Sequence, residues 1–136
     1  MKTLVLFYSY TGHTKSAAEA YAAEQSADVV EIKEIRRPSK PGAYLRGCFA
    51  ALRGKSWPIE PLDIDPAYDR IVLYSPVWAG NPPPAVNAAL AQILEGKPVS
   101  VVMNSASGKS ECRERVEAAV KARGCTLERF EDIKAK

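Results

Sequence analysis

Three segments of this chain are apolar with almost no interruption: Leu4 to Tyr8, Ile71 to Tyr74, and Val99 to Met103, broken only by Ser100. A short run with no polar side suits a strand buried on both faces, and such strands belong in a parallel sheet sandwiched by helices. Two weaker segments alternate instead, Val30-Glu31-Ile32-Lys33 and Thr126-Leu127-Glu128-Arg129-Phe130. Alternation marks a half-solvated strand, hence an edge. The pattern predicts three interior strands and two edge strands.

Helical spacing fills the intervals between them. Ala17, Ala18, Tyr21 and Ala22 form one stripe, and Leu45, Cys48, Phe49 and Leu52 a second, stopped by Gly54. Val86, Ala89, Leu90, Ile93 and Leu94 make a third, ended by Gly96 and Pro98; Cys112, Val116, Ala119 and Val120 make a fourth, ended by Gly124. The order βαβαβαβαβ is that of an open α/β sheet. In a parallel sheet ordered 2-1-3-4-5, the first, third and fourth strands are interior, which is the division the burial pattern makes. Ligands of such sheets bind beyond the carboxyl ends of the strands, at the switch between the first and third. The loops after Tyr8, Ser75 and Met103 are therefore the ones that can carry a site.

Composition narrows the class. With 136 residues, 46% hydrophobic and 26% charged, the chain reads as a single domain over 1–136, without internal repeats. Its net charge of +3 does not point to nucleic acid. Cys48, Cys112 and Cys125 form no C-x-x-C pair, which reads as reduced thiols in a cytoplasmic protein. The apolar run after Met1-Lys2 is too short for a signal peptide, and no run approaches the roughly 20 residues of a membrane helix. Neither nucleic acid nor membrane is an expected partner.

The first loop, Ser9-Tyr10-Thr11-Gly12-His13-Thr14, crowds hydroxyls and a glycine at the start of a helix, where backbone N–H groups are unpaired and the dipole is positive. That suits a phosphate held without lysine, the alternative being ordinary capping of the helix by Ser or Thr. The His13 imidazole either donates to that anion or faces solvent, leaving only its amide. The second loop, Ser75-Pro76-Val77-Trp78-Ala79-Gly80-Asn81-Pro82-Pro83-Pro84, is stiffened by proline and leads into the third helix. Trp78 either stacks on a flat heterocycle or packs as a lid over the strand end. Trp57 lies in the proline-rich connection from Lys55 to Asp69 and reads as its anchor. The third loop, Asn104-Ser105-Ala106-Ser107-Gly108-Lys109-Ser110, offers small polar groups; Met103 stands where a nucleotide P-loop needs glycine.

Ser9, Thr11, Gly12 and Thr14 match the S/T-x-T-G-x-T phosphate loop of flavodoxins, and P-V-W-A-G-N-P-P-P-A resembles the ring-binding loop of that family. The resemblance implies a flavodoxin-like fold, FMN as cofactor, and a site drawn from Ser9, Tyr10, Thr11, Gly12, His13, Thr14, Pro76, Val77, Trp78, Ala79, Gly80, Asn104, Ser105, Ser107 and Gly108. It implies no catalytic side chain and no metal. His13 stands where the family often has Asn. The third loop lacks the aromatic that covers the second flavin face in many flavodoxins, which favours encounter with a nicotinamide, a quinone or a redox partner protein. Lys33, Arg36, Arg37, Lys40, Arg46, Arg53 and Lys55 stand against Glu34 alone, either a solvated face or an attractor of anions, unlike the acidic surface of many flavodoxin carriers.

Rival chemistries fail on the residues. No cysteine starts a C-x5-R, one histidine cannot build a multi-histidine zinc site, and neither G-x-S-x-G nor an early G-x-G-x-x-G occurs. The expected function is an FMN oxidoreductase passing electrons from reduced nicotinamide to a small acceptor such as a quinone. The alternatives are a one-electron carrier and a flavodoxin-fold binding or regulatory module without FMN. After the fifth strand, Asp132–Lys136 is too short for the fifth helix of a full unit. That absence predicts an exposed apolar sheet face buried in a homo-oligomer.

Overall fold

A computed structural model describes residues 2–35 and 43–135. Strands β1 (Thr3–Phe7), β2 (Asp28–Glu31), β3 (Arg70–Pro76), β4 (Pro98–Ser105) and β5 (Thr126–Lys134) form one parallel sheet ordered β2-β1-β3-β4-β5. Helices α1 (His13–Gln25), α2 (Ala43–Leu52), α3 (Pro84–Leu90) and α4 (Arg113–Ala122) connect them. This is the flavodoxin-like α/β architecture. Because side chains alternate along each strand, the uninterrupted runs divide between two cores. Leu4, Leu6, Leu73, Val101 and Met103 pack with Ala51 of α2, Val86 and Leu90 of α3, and Val116 and Val120 of α4. Val5, Phe7, Val72, Tyr74 and Val102 face the other way, onto Ala18 and Ala22 of α1.

The third helix is shorter than its apolar stripe predicts. It ends at Leu90, yet Ile93 is fully buried in the turn that follows. The Arg123 guanidinium, from the end of α4, donates to the Ile93 carbonyl at 2.6 and 3.0 Å and holds that turn in place of a further helical one. The second strand starts at Asp28, ahead of the predicted alternation, and Ile32 is buried just beyond its end. The fifth strand is longer than predicted, running to Lys134 through a register shift between Val99 and Ser100.

The second helix is turned inside out relative to its predicted stripe. Leu45, Phe49 and Leu52 are 60, 55 and 54% exposed, while Ala51 is fully buried and Cys48 half-buried. The reason lies beneath the helix, where Trp57 and Trp78 already fill the space. A Cβ on Gly47 would stand 2.5 Å from Cζ3 of Trp78 and 3.0 Å from Cη2 of Trp57. Only the side of α2 bearing glycine and alanine can approach two indoles that closely.

The expected bare apolar sheet is not bare. Val72, Tyr74 and Val102 are 2, 6 and 5% exposed, with Tyr21 of α1 packed on Tyr74 at 5.6 Å and Ile133 of β5 against the same cluster. The extended β5 also sets an Arg129–Glu131 ion pair beside them. The apolar face expected to be buried in a homo-oligomer is therefore already covered within the chain. Of the basic segment, Lys33, Arg46, Arg53 and Lys55 are exposed; Arg36, Arg37 and Lys40 lie outside the described residues. No helix among the described residues is long and apolar enough to cross a membrane.

Candidate functional site

The parallel sheet delivers the ends of β1, β3 and β4 to one rim, and the three loops that follow meet there. They enclose a cleft of about 620 Å³ lined by Tyr10, Thr11, His13, Thr14, Pro76, Val77, Trp78, Asn104, Ser105, Ala106 and Ala135. A second cleft of about 490 Å³ adjoins it, sharing Val77, Ser105 and Ala106 and adding Ala79, Gly80, Ser107, Lys109, Ser110 and Glu111.

The first loop is shaped by its own hydrogen bonds. Ser9 is buried, and its hydroxyl accepts the Gly12 N–H at 2.9 Å, which folds the loop back onto the strand end. Gly12 caps α1 at φ +100°, a conformation that side chains rarely adopt, although the space around it is open. Thr11 and His13 are exposed and Thr14 is buried in the cleft wall at the first turn of α1. Hydroxyl, imidazole and helix-start amides thus surround the place where an anion is best stabilised.

In the second loop, Trp78 and Asn81 exchange backbone hydrogen bonds at 2.8 and 3.0 Å around a two-residue turn, with positive φ at Ala79 (51°) and Gly80 (79°). The Asn81 side chain donates to the Ala79 carbonyl at 2.9 Å, and the Glu111 N–H donates to Gly80 O at 2.8 Å, tying this loop to the third. Trp78 is only 2% exposed. Its ring meets Tyr8, Tyr10 and Trp57 edge to face at 5.9, 5.5 and 6.1 Å. An indole so enclosed cannot offer a broad face to a ligand. It forms the floor of the cleft, and half-buried Tyr10 is the more accessible ring. Trp57 is half-buried against the same core, and its backbone N–H donates to Pro84 O at 3.2 Å.

The third loop spends much of its polarity on itself. The Ser105 hydroxyl accepts the Gly108 N–H at 3.0 Å, and the Ser107 hydroxyl accepts the Lys109 N–H at 3.3 Å. Asn104 differs. It is 5% exposed, lines the larger cleft, and its side-chain oxygen has no partner among the described residues. A buried carbonyl oxygen without a donor is costly, so this one is open to a donor from a ligand or from water. Just past this loop, Cys112 is buried, and burial pushes its thiol above the usual range, the opposite of an activated thiolate.

Of the residues singled out in the sequence, Tyr10, Thr11, His13, Thr14, Pro76, Val77, Trp78, Asn104 and Ser105 line the main cleft. Ala79, Gly80 and Ser107 line its neighbour, whereas Ser9, Gly12 and Gly108 line neither and shape the loops from behind. Sequence reasoning missed Ala135, carried to the rim by the extension of β5 and fixed by its N–H to Ser105 O at 2.7 Å. It also passed over Ala106 as a lining residue, having sought polar groups in that loop. Among the described residues no cluster of three His, Cys, Asp or Glu is placed to hold a metal.

No family model matches the chain. An uncharacterised protein of Archaeoglobus fulgidus is 29% identical over 97 residues, 71% of this chain and 61% of that protein, so the match spans less than two thirds of the relative. Among solved structures, the flavoprotein from Lactobacillus acidophilus NCFM in complex with FMN is similar at 24% identity and a TM-score of 0.72, over 95% of this chain and 91% of that one. The apo-form of the flavoprotein from the same organism gives 26% and 0.64, over 96% and 91%. A Streptococcus pneumoniae TIGR4 flavodoxin gives 16% and 0.59, over 100% and 88%. Strand order, cleft position and these neighbours agree: the chain has the flavodoxin-like fold.

Proposed function

We propose that the chain is an FMN-binding redox flavoprotein, passing electrons from a reduced nicotinamide to a small acceptor such as a quinone. The observation that carries the cofactor is the Asn104 oxygen, buried and without a partner among the described residues, in a cleft also lined by Thr11, His13 and Thr14 at the start of α1. FMN brings both complements, a phosphate for the loop and N–H and hydroxyl donors for the asparagine. The flavoprotein crystallised with FMN supports the same reading.

Residue roles follow from position. Thr11, His13, Thr14 and the amides at the start of α1 hold the phosphate; Asn104 accepts a donor from the cofactor; Pro76, Val77 and Tyr10, backed by Trp78, make the apolar wall. When bound, FMN supplies the electron chemistry, and the chain binds and orients it. The adjoining cleft with Ala79, Gly80, Ser107 and Lys109 favours an enzyme over a carrier, because it gives a second small molecule a place beside the first.

Titration with FMN and with riboflavin, followed by the visible spectrum and flavin fluorescence, tests the cofactor. Thr11→Ala and Thr14→Ala are expected to weaken FMN far more than riboflavin, which lacks the phosphate. A protein that binds neither flavin refutes the proposal. Stopped-flow mixing of the FMN-loaded protein with reduced nicotinamides separates the functions. Rapid bleaching supports the oxidoreductase, and negligible direct reduction supports the carrier.

A further inference from the structure

The outward side of α2 is unlike the surface of an isolated domain. Leu45, Phe49 and Leu52 follow one another at i, i+4 and i+7 on the solvent side, each more than half exposed. Exposed Arg46, Arg53 and Lys55 accompany them, and the sequence from 35 to 59 contains six Lys and Arg but no Asp or Glu. The inner side of the helix cannot take these apolar residues, because Gly47 rests on Trp78 and Trp57. The exposure is thus built into the packing and is not removed by rotating the helix.

We propose that this face of α2 docks on an anionic lipid bilayer surface, with Leu45, Phe49 and Leu52 seated among the acyl chains and Arg46, Arg53 and Lys55 at the headgroups. Charge selects this occupant. A second copy of the chain would bring one basic segment against another, while an anionic surface complements it. Shape selects a lipid surface over an acidic protein. The three side chains project from the convex side of a helix, which a fluid interface accommodates without matching pockets, whereas protein hot spots seat their anchors in pockets. No helix among the described residues is long and apolar enough to cross a membrane, and a helix lying in the interface need not be. Since Gly47 touches Trp78, the floor of the cleft, the bilayer would lie about one helix diameter, roughly 10 Å, from it. If the proposed quinone reduction holds, an apolar acceptor is then drawn from the bilayer beside the site. Delivery of the acceptor rests on the proposed function; the docking itself does not.

The full chain without added flavin is mixed with vesicles of phosphatidylcholine, or of phosphatidylcholine and phosphatidylglycerol in equal parts, and the bound fraction is measured by flotation at low and high salt. Binding is expected to the anionic vesicles and to weaken with salt. Arg46→Gln with Arg53→Gln is expected to reduce it about thirtyfold, from roughly a fivefold loss per basic residue. Leu45→Gln, Phe49→Gln and Leu52→Gln together are expected to reduce it at least tenfold, with circular dichroism unchanged. Absence of binding to anionic vesicles overturns the proposal, as does binding that either variant leaves intact. Self-association that the triple variant abolishes, without vesicle binding, assigns the face to a second copy and also overturns it. Flavin titration of the same variants stays unchanged, so failure here leaves the cofactor reading standing.

Discussion

Replacing Gly47 with alanine tests the packing that sets the cleft floor. By helix propensity alone, Gly47→Ala in the middle of α2 stabilises by about 1 kcal/mol. The new Cβ, however, falls 2.5 Å from Cζ3 and 3.0 Å from Cε3 of Trp78, and 3.0 Å from Cη2 of Trp57. Carbon atoms sit best at about 3.5–4.0 Å, so something must move by about 1 Å. Trp78 has little room to yield, being 2% exposed and met edge-on by Tyr8, Tyr10 and Trp57. Overpacking of that kind costs about 1–3 kcal/mol, and the confinement of Trp78 places it near the upper end. The net expectation is a loss of about 2 kcal/mol, a fall in Tm of roughly 6–10 °C for a domain of this size. Urea and thermal unfolding measure it. In a Trp78→Phe background the shorter ring relieves the clash, and Gly47→Ala should become neutral or stabilising, giving a coupling that a double-mutant cycle reads directly. A single variant stabilised by about 1 kcal/mol, or an equal effect in both backgrounds, would refute the reasoning.

Three further outcomes are expected. Gly12→Ala, at φ +100° with open space around it, should lose about 1–2 kcal/mol through backbone strain alone, and Gly12→Asn should lose less. In the native protein a thiol reagent should modify half-buried Cys48 well before buried Cys112 and Cys125, all three reacting together once the chain is unfolded; early loss of Cys112 would contradict its burial. Burial pushes the Tyr74 hydroxyl from 10.0 up to about 12. Below pH 10 both folded and unfolded chains keep that proton, but between 10 and 12 only the folded chain does, so its contribution to stability is lost as pH rises through this window. Tyr74→Phe should flatten that part of the alkaline unfolding curve, and an unchanged curve would remove Tyr74 as its cause.

Much of the site was legible because its signals are local. The hydroxyl loop depends on consecutive residues at a strand-to-helix junction, and the turn at Trp78–Asn81 on a short stretch between proline and glycine. Asn104 was named for its place at a strand end. That its oxygen is buried without a partner among the described residues depends on α1, β4 and the loops closing around it. Trp78 shows the opposite limit. Its position after an interior strand suited a ligand-facing ring, but Gly47, Trp57 and two tyrosines arrive from elsewhere in the chain and enclose it.

By itself the sequence determined the parallel sheet, its order and the rim on which ligands bind. Burial on both faces is written into the uninterrupted runs of β1, β3 and β4, and an edge position into the alternating segments 30–33 and 126–130. Tertiary structure alone decided which side of α2 faces in. Periodicity marks an apolar stripe, but the volume left above two indoles admits only glycine and alanine, and so it turns Leu45, Phe49 and Leu52 to the outside. It likewise decided that β5 runs on to Lys134, because pairing with the full length of β4 outweighs the weak local preference of those last residues.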